Sequence, residues 1–401
     1  MGNPPYASPV IRRSVGRRAL EERGRVKRMK RALTAVSVVS LLVGLAVVAA
    51  ACGGSGSSTS GGSAGSHSGS GAVRVALVLD GPVNDGGWGQ LWKEAGDKLQ
   101  REVPGTKVTV VPMIAPGAAA QRTFRALASQ GQQLIVGTGA GMDVDIRKVA
   151  ASFPKTHFAA VLASRTAPNM AAVNAAIEQG RYLDGIVAGS VSKTGVIGQV
   201  EGFAIPFTQR AIDGLTLGAR AANPKAQVKV LSINSWYDPA KERQAAQALV
   251  DQRADVLSMN LNTPAVPAVA KASGAGLIGY ATSRKAQVPS VWLSTFTFDW
   301  SVYLAASVKQ IQAGDWKATD FYGDLADGTI KMAPFGARVP AAVVAKVERA
   351  KADIIAGKIV VFRGPLNDST GKQVVAAGSS LTTPQQLVGC CTWLAEGATG
   401  Q

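Results

Sequence analysis

Residues 73–102 read VRVALVLDGPVNDGGWGQLWKEAGDKLQRE, and the order of residue types in this stretch decides the fold. Val73 to Leu79 is a short apolar run broken only by Arg74, the pattern of a strand covered on both faces. A loop follows, Asp80-Gly81-Pro82-Val83-Asn84-Asp85-Gly86, and a helical period runs from about Gly87 to Glu102. The alternation continues outward: a strand at Lys107 to Met113, a helix from Ala118 to Gln130, a strand at Gln133 to Gly137, a helix from Asp143 to Phe153, and a strand at His157 to Ala163. Strand, helix, strand, helix requires a parallel sheet with right-handed crossovers.

The same rhythm restarts at Val196 to Val200. A helix to Ala222 is followed by a strand at Val228 to Ile233, a helix from Pro239 to Arg253, a strand at Val256 to Leu261, a helix from Pro264 to Ser273 and a strand at Leu277 to Tyr280. This is an α/β chain with two doubly wound parallel-sheet lobes. No short sequence repeat accompanies the duplication. A body running from residue 73 to 401 is large enough to split into two cores.

Upstream of residue 73 the composition changes. The chain of 401 residues carries a formal charge of +17, which invites a nucleic-acid reading. Residues 1–31, however, hold ten Lys/Arg against two Glu, so nearly half of that excess sits in less than a tenth of the chain. Residues 32–51 are uncharged and mostly apolar, about 30 Å long if helical. Ala49-Ala50-Ala51 lead into Cys52-Gly53, which resembles the lipobox of bacterial lipoproteins. Residues 1–51 are therefore expected to be a signal peptide, with a possible true start at Met29, and Cys52 the lipidated first residue. An uncleaved membrane helix is the alternative reading. Residues 52–72 are the lipidated Cys and a Gly/Ser-rich tether, with a reach on the order of 25 Å. The expected location is the outer face of a bacterial cell membrane, anchored through lipid on Cys52.

Two histidines and three cysteines exclude His-rich and four-cysteine zinc sites and multi-bridge scaffolds. No metal and no cofactor is expected. Cys390-Cys391 could form a vicinal disulfide, remain free thiols or pair between molecules.

In doubly wound sheets ligands bind beyond the carboxyl ends of the strands. After the first strand, Asn84 or Asp85 can cap a helix and Trp88 falls in its first turn. After the strand ending at Ile233, Asn234-Ser235-Trp236-Tyr237-Asp238-Pro239 places Asp238 as an N-cap and Trp236 at the equivalent loop. Two such tryptophans could sandwich a planar ligand across a cleft, or each could cover its own helix end. Gly137-Thr138-Gly139-Ala140-Gly141 offers backbone N–H groups near Gly139, but lacks the spacing of a dinucleotide fingerprint and of a P-loop. Asn260 and Asn262 end another strand and could bond a ligand edge.

Gly180-Arg181-Tyr182-Leu183-Asp184-Gly185-Ile186-Val187-Ala188-Gly189, Leu217-Gly218-Ala219-Arg220-Ala221-Ala222-Asn223-Pro224 and Ser235-Trp236-Tyr237-Asp238-Pro239-Ala240-Lys241-Glu242 together resemble the basic membrane protein family. These are substrate-binding lipoproteins of ABC importers and include purine nucleoside receptors. The resemblance implies a type I periplasmic-binding fold whose two lobes are joined by three crossing segments, near 184–190, 280–288 and 318–330, and close like a hinge. It implies an N-terminal lobe of 73–184 plus 284–320 and a C-terminal lobe of 185–283 plus 321–401. ABC permease and ATPase subunits are the implied partners of a monomer.

Family receptors stack the base between two aromatics, which map to Trp88 and Trp236. Their charged ribose contacts have no counterpart here: the matching stretches read Gly279-Tyr280-Ala281-Thr282-Ser283 and Ser294-Thr295-Phe296-Thr297-Phe298. A site that recognises sugar hydroxyls gains selectivity from such polar groups. A free purine-type base or related planar heterocycle is therefore expected over an intact nucleoside, with Phe203, Tyr280, Phe298 and Trp300 lining or closing the site. A receptor without a transporter is a competing reading. An extracellular hydrolase using Asp85 and Asp238 would need a tuned carboxylate pair, and no such constellation is visible. A DNA-binding regulator would need a helix-turn-helix ahead of residue 73, so no nucleic acid is expected.

Overall fold

The protein is described by a computed structural model covering residues 71–400. The expected signal peptide, the Cys52 lipidation site and nearly all of the tether lie outside the described residues. Within them no helix is long and apolar enough to cross a membrane.

The first sheet is built from β1 (Val73–Val78), β2 (Thr106–Val111), β3 (Leu134–Gly137), β4 (His157–Val161) and β5 (Met170–Ala175). Between these strands run α1 (Trp88–Glu102), α2 (Ala118–Ser129) and α3 (Met142–Ala150). After β5 come α4 (Ile177–Val191) and the second sheet: β6 (Val196–Glu201), α5 (Pro206–Ala222), β7 (Gln227–Ser232), α6 (Pro239–Asp251), β8 (Val256–Met259), α7 (Ala265–Ser273), β9 (Gly276–Ile278) and β10 (Trp292–Ser294). The chain then passes through β11 (Phe296–Phe298), α8 (Ser301–Ala313), β12 (Asp320–Gly323), β13 (Ile330–Met332) and α9 (Ala341–Ile355).

The first sheet has the order β12-β5-β4-β3-β1-β2, and the second β10-β9-β8-β6-β7 with Ala398–Thr399 added at its edge; every pairing in both is parallel. Strands such as β3 and β9 are buried at every residue, as their uninterrupted apolar sequences require when helices cover both faces.

Strand pairing places the first crossing earlier and the second later than the sequence suggested, and the third within the expected 318–330. The first lies at Ala176, because α4 already packs on α5 in the second lobe. The segment around 284–294 stays in the second lobe, since Trp292 pairs with Leu277; the crossing follows at about 295–300. The third follows Gly323, which still pairs with Ala175. The second and third crossings bond to one another, as β11 pairs antiparallel with β13. The short apolar run Trp292–Phe298 contains two strands of different sheets, a division that periodicity does not reveal.

Helices α4 and α5 approach until their backbones touch. A Cβ on Gly185 would stand 2.2 Å from the Leu215 carbonyl oxygen, and one on Gly218 would stand 2.0 Å from that of Tyr182. Gly189 and Gly214 complete the contact, so each helix contributes two glycines spaced four apart. Near the C-terminus, Cys390 and Cys391 form a vicinal disulfide, and Cys391 is buried with Phe362 and Leu387.

Candidate functional site

The carboxyl ends of both sheets border one cleft of about 320 Å³. The first lobe contributes Asp80, Gly81, Pro82, Asp85 and Trp88 from the loop after β1, with Met113, Thr138, Ala140 and Leu162 from the ends of β2, β3 and β4. The second contributes Trp236, Tyr237, Asn260, Asn262 and Tyr280, with Phe207 from the first turn of α5. No Lys, Arg or His is among these residues.

Trp88 and Trp236 thus meet at the same cleft from opposite lobes. The indole Nε1 of Trp88 donates to the Thr138 carbonyl oxygen at 3.1 Å, which orients the ring. Behind it stand Trp300, Phe298 and Trp92, edge-on to Trp88 with ring centroids 5.5 to 6.3 Å away, while Phe207, which lines the cleft, meets it edge-on at 6.1 Å. Trp300 is itself stacked between Trp92 and Phe298. Phe298 and Trp300 therefore do not line the cleft. They are buried at the second crossing, held there by the pairing of β11 with β13, and they buttress Trp88 from behind. Phe203 also stands outside the lining, packed at 5.0 Å against the Trp236 ring, while Gly202 lets that ring lie directly on the backbone.

The two candidate carboxylates are occupied as caps. Asp85 accepts from the backbone N–H groups of Gly87, Gly89 and Gln90, closing the N-terminus of α1. Asp238 accepts from Lys241 N at 3.1 Å, caps α6 and does not line the cleft. Of the two, only Asp85 lines the cleft. Gly139 serves a steric purpose: a Cβ there would stand 2.8 Å from the Cβ of Asp80. The glycine makes room for Asp80 and is not among the residues that line the cleft.

Asp80 itself was legible only as the end of a strand. Its carboxyl accepts no hydrogen bond from another described residue, and burial pushes it above the usual carboxylate range, with the charge of Asp85 adding to the effect. Met113, Leu162, Phe207 and Tyr237 were missed as well. All but Phe207 sit at or just past a strand's carboxyl end, so the rule that located the tryptophans could have found them. The backbone marks the same region. Met113, Leu162, Asn234 and Ala281 all have φ between 53° and 62°, a costly conformation for residues other than glycine, and each follows a strand that ends at the cleft.

Beneath the cleft floor lies a buried polar chain. Glu201 accepts from the Gly202 N–H at 2.8 Å and from Asn260 Nδ2. The Oδ1 of Asn260 accepts from Arg181, whose guanidinium also donates to the Met259 and Gly279 carbonyl oxygens and pairs with Asp184. Asp184 in turn accepts from Ser294 Oγ at 2.7 Å and from the Phe296 N–H. An arginine only donates, so it fixes the Asn260 amide with its oxygen towards Arg181 and its nitrogen towards Glu201. Desolvation pushes Glu201 up to about 8 and Asp184 to about 6.

A family model described as "ABC transporter substrate-binding protein PnrA-like" matches residues 72–369. A purine-binding protein of Brucella abortus is 33% identical over 319 residues, covering 79% of this chain and 90% of that protein. A protein of Haloferax volcanii, provisionally named an ABC transporter glucose-binding protein, is 28% identical over 292 residues, or 73% of this chain and 74% of the other. Among solved structures, an ABC transporter solute-binding protein from Conexibacter woesei superposes with a TM-score of 0.62 at 30% identity, covering 72% of this chain and 98% of that one.

Proposed function

As this chain belongs to the PnrA-like family of ABC transporter substrate-binding proteins, we propose that its cleft binds a purine-type base or related planar heterocycle, stacked between Trp88 and Trp236, for delivery to a membrane permease and its ATPase. The observation that carries this reading is the meeting of those two tryptophans, one from each lobe, in a cleft lined by no cationic side chain. Stacking supplies sequence-tolerant affinity for any flat ring system. Asp80 supplies an edge contact, while Asn260 lines the cleft with its amide already bonded to Arg181 and Glu201. Asp80 is half-buried and held only by its own backbone N–H, so a ring N–H or an exocyclic amine donated to it offsets its desolvation on binding. The purine-binding relative from Brucella abortus supports the ligand class.

The free base is favoured over the nucleoside by what stands where the family's ribose contacts fall. Ala281 is a buried methyl group, and Phe298 is committed to the aromatic cluster behind Trp88. Neither accepts a hydrogen bond from a sugar hydroxyl. Lobe closure then excludes water and builds the surface a permease reads. Lipid on Cys52 would hold the body at the membrane, with the Gly/Ser tether leaving it free to reorient.

A thermal-shift screen of adenine, guanine, hypoxanthine, their nucleosides and glucose, followed by calorimetric titration, tests this. A base at a hundred times its dissociation constant should stabilise the protein by about 2.7 kcal/mol. Binding of nucleosides without bases would replace the base by the nucleoside, the alternative ligand of this family. Binding of glucose alone would overturn the aromatic-sandwich reading.

A further inference from the structure

The loops that border the cleft also hold the lobes together, in part through groups that do not line it. The Gly86 carbonyl oxygen of the first lobe accepts from Thr282 Oγ1 and, at 3.2 Å, from Arg284 Nη2 of the second. The same Nη2 donates to the Asn262 carbonyl oxygen. Asn262 in turn spends its side chain on the first lobe: Oδ1 accepts from Trp88 N at 3.4 Å and Nδ2 donates to Asp85 Oδ2 at 3.1 Å. Asn262 thus lines the cleft with an amide already engaged at both ends.

Only glycine fits at this contact. A Cβ on Gly87 would stand 2.1 Å from Asn262 Oδ1, and one on Gly86, whose φ is +71°, would stand 2.9 Å from Arg284 Nη2. The Gly86-Gly87 turn therefore receives the second lobe with no side chain between them. We propose that Thr282, Arg284 and Asn262 form a latch on the Gly86-Gly87 turn, and that this latch sets ligand affinity through the population of the closed state. Gly86, Gly87, Thr282 and Arg284 make this contribution from outside the cleft lining.

The energetics suit a latch of this kind. When the lobes part, the Gly86 carbonyl oxygen and the Arg284 guanidinium exchange each other for water, so each hydrogen bond contributes only a small net amount. The closed and open states then lie close enough for a ligand to shift them. Apparent affinity scales with the fraction of molecules in the binding-competent state. A weakened latch lowers affinity for every ligand by one common factor, whereas a lost ligand contact changes the ratio between ligands. The affinity effect rests on the interlobe cleft being the binding site; the effect on closure does not.

The test combines small-angle scattering of ligand-free protein with titrations of adenine and hypoxanthine on Arg284→Ala, Thr282→Val and Gly87→Ala. Each variant is expected to enlarge the radius of gyration. Each should weaken both bases by the same factor, roughly tenfold for Arg284→Ala. Because Arg284 is buried, Thr282→Val, which removes a hydroxyl at nearly constant shape, guards against a folding defect. Gly87→Ala should cost less in an Asn262→Ala background, since the obstructing amide is gone. An unchanged radius of gyration with unchanged affinity overturns the latch, and so does a change in the adenine-to-hypoxanthine ratio. If neither base binds the wild type, the ligand reading fails, while scattering still decides the latch.

Discussion

The Trp88 indole donates to the Thr138 carbonyl oxygen across 3.1 Å, so the ring that faces the cleft is pinned at its polar atom and buttressed by aromatics behind it. A ring held in this way loses little freedom when a ligand stacks on it. Trp88→Ala should weaken base binding by roughly ten- to a hundredfold, the range expected for one lost stacking face. Trp88→Phe, which keeps a face but not the Nε1 donor, should fall between. Trp236→Ala should resemble Trp88→Ala. Calorimetry reads the affinities and circular dichroism checks the fold; full affinity in Trp236→Ala would remove the sandwich.

Asp80 predicts a trade between stability and binding. Its side chain is half-buried, and desolvation raises its proton affinity, offset only in part by its own backbone N–H. Asp80→Asn should therefore leave the ligand-free melting temperature unchanged or raise it, while weakening any base that donates an N–H there by about tenfold or more. A lower melting temperature with intact affinity would assign Asp80 a purely structural role.

The contact of α4 with α5 predicts a sharp cost for a single methyl group. Gly218→Ala drives a Cβ to within 2.0 Å of the Tyr182 carbonyl oxygen, and the helices must separate along their length. A loss of about 1–3 kcal/mol or more is expected in chemical denaturation. Gly389→Ala, where a Cβ meets nothing within 4 Å, serves as the control and should be near neutral.

Glu201 predicts a pH dependence. In the folded protein burial lifts it from 4.5 to about 8, so between those values the folded state binds more protons than the unfolded one. Its contribution is therefore fully present below about pH 4.5 and is lost as pH rises towards 8. Asp184, raised from 3.8 to about 6, acts in the same direction over the lower part of that window. The melting temperature should fall from pH 5 to pH 8. Glu201→Gln should flatten the slope by an amount on the order of a few kcal/mol across the window. A slope unchanged by the substitution would assign the effect to other groups.

Cys52 can be tested directly. Cys52→Ser should abolish incorporation of labelled fatty acid and shift the protein from the membrane to the soluble fraction, with the purified body binding its ligand as before. Lipid incorporation that survives the substitution would remove the lipoprotein reading.

Much of the fold was legible because burial writes itself into composition. A strand covered on both faces is mostly apolar, as β3 and β9 are throughout, and the alternation of such strands with helices leaves few arrangements of the chain. Trp88 and Trp236 were found because ligand sites in doubly wound sheets follow the strands' carboxyl ends. Phe298 and Trp300 were not legible in the same way. An aromatic near a crossing has the same sequence signal whether it faces the cleft or fills the hinge. Asn262 presented a similar ambiguity, since an amide at a strand end suits a ligand edge and an opposing lobe equally well.

The sequence by itself determined the two-lobed parallel architecture, the region of the cleft and its aromatic character, because these depend on local periodicity and on which residues water will not hold. The tertiary structure alone decided which side chains reach the cleft, that Asp85 and Asp238 are spent on helix ends, and that Gly86 and Gly87 receive the other lobe. Those outcomes depend on contacts between residues as far apart as Asp85 and Asn262, 177 positions along the chain, whose meeting is set by how two separately folded sheets come together.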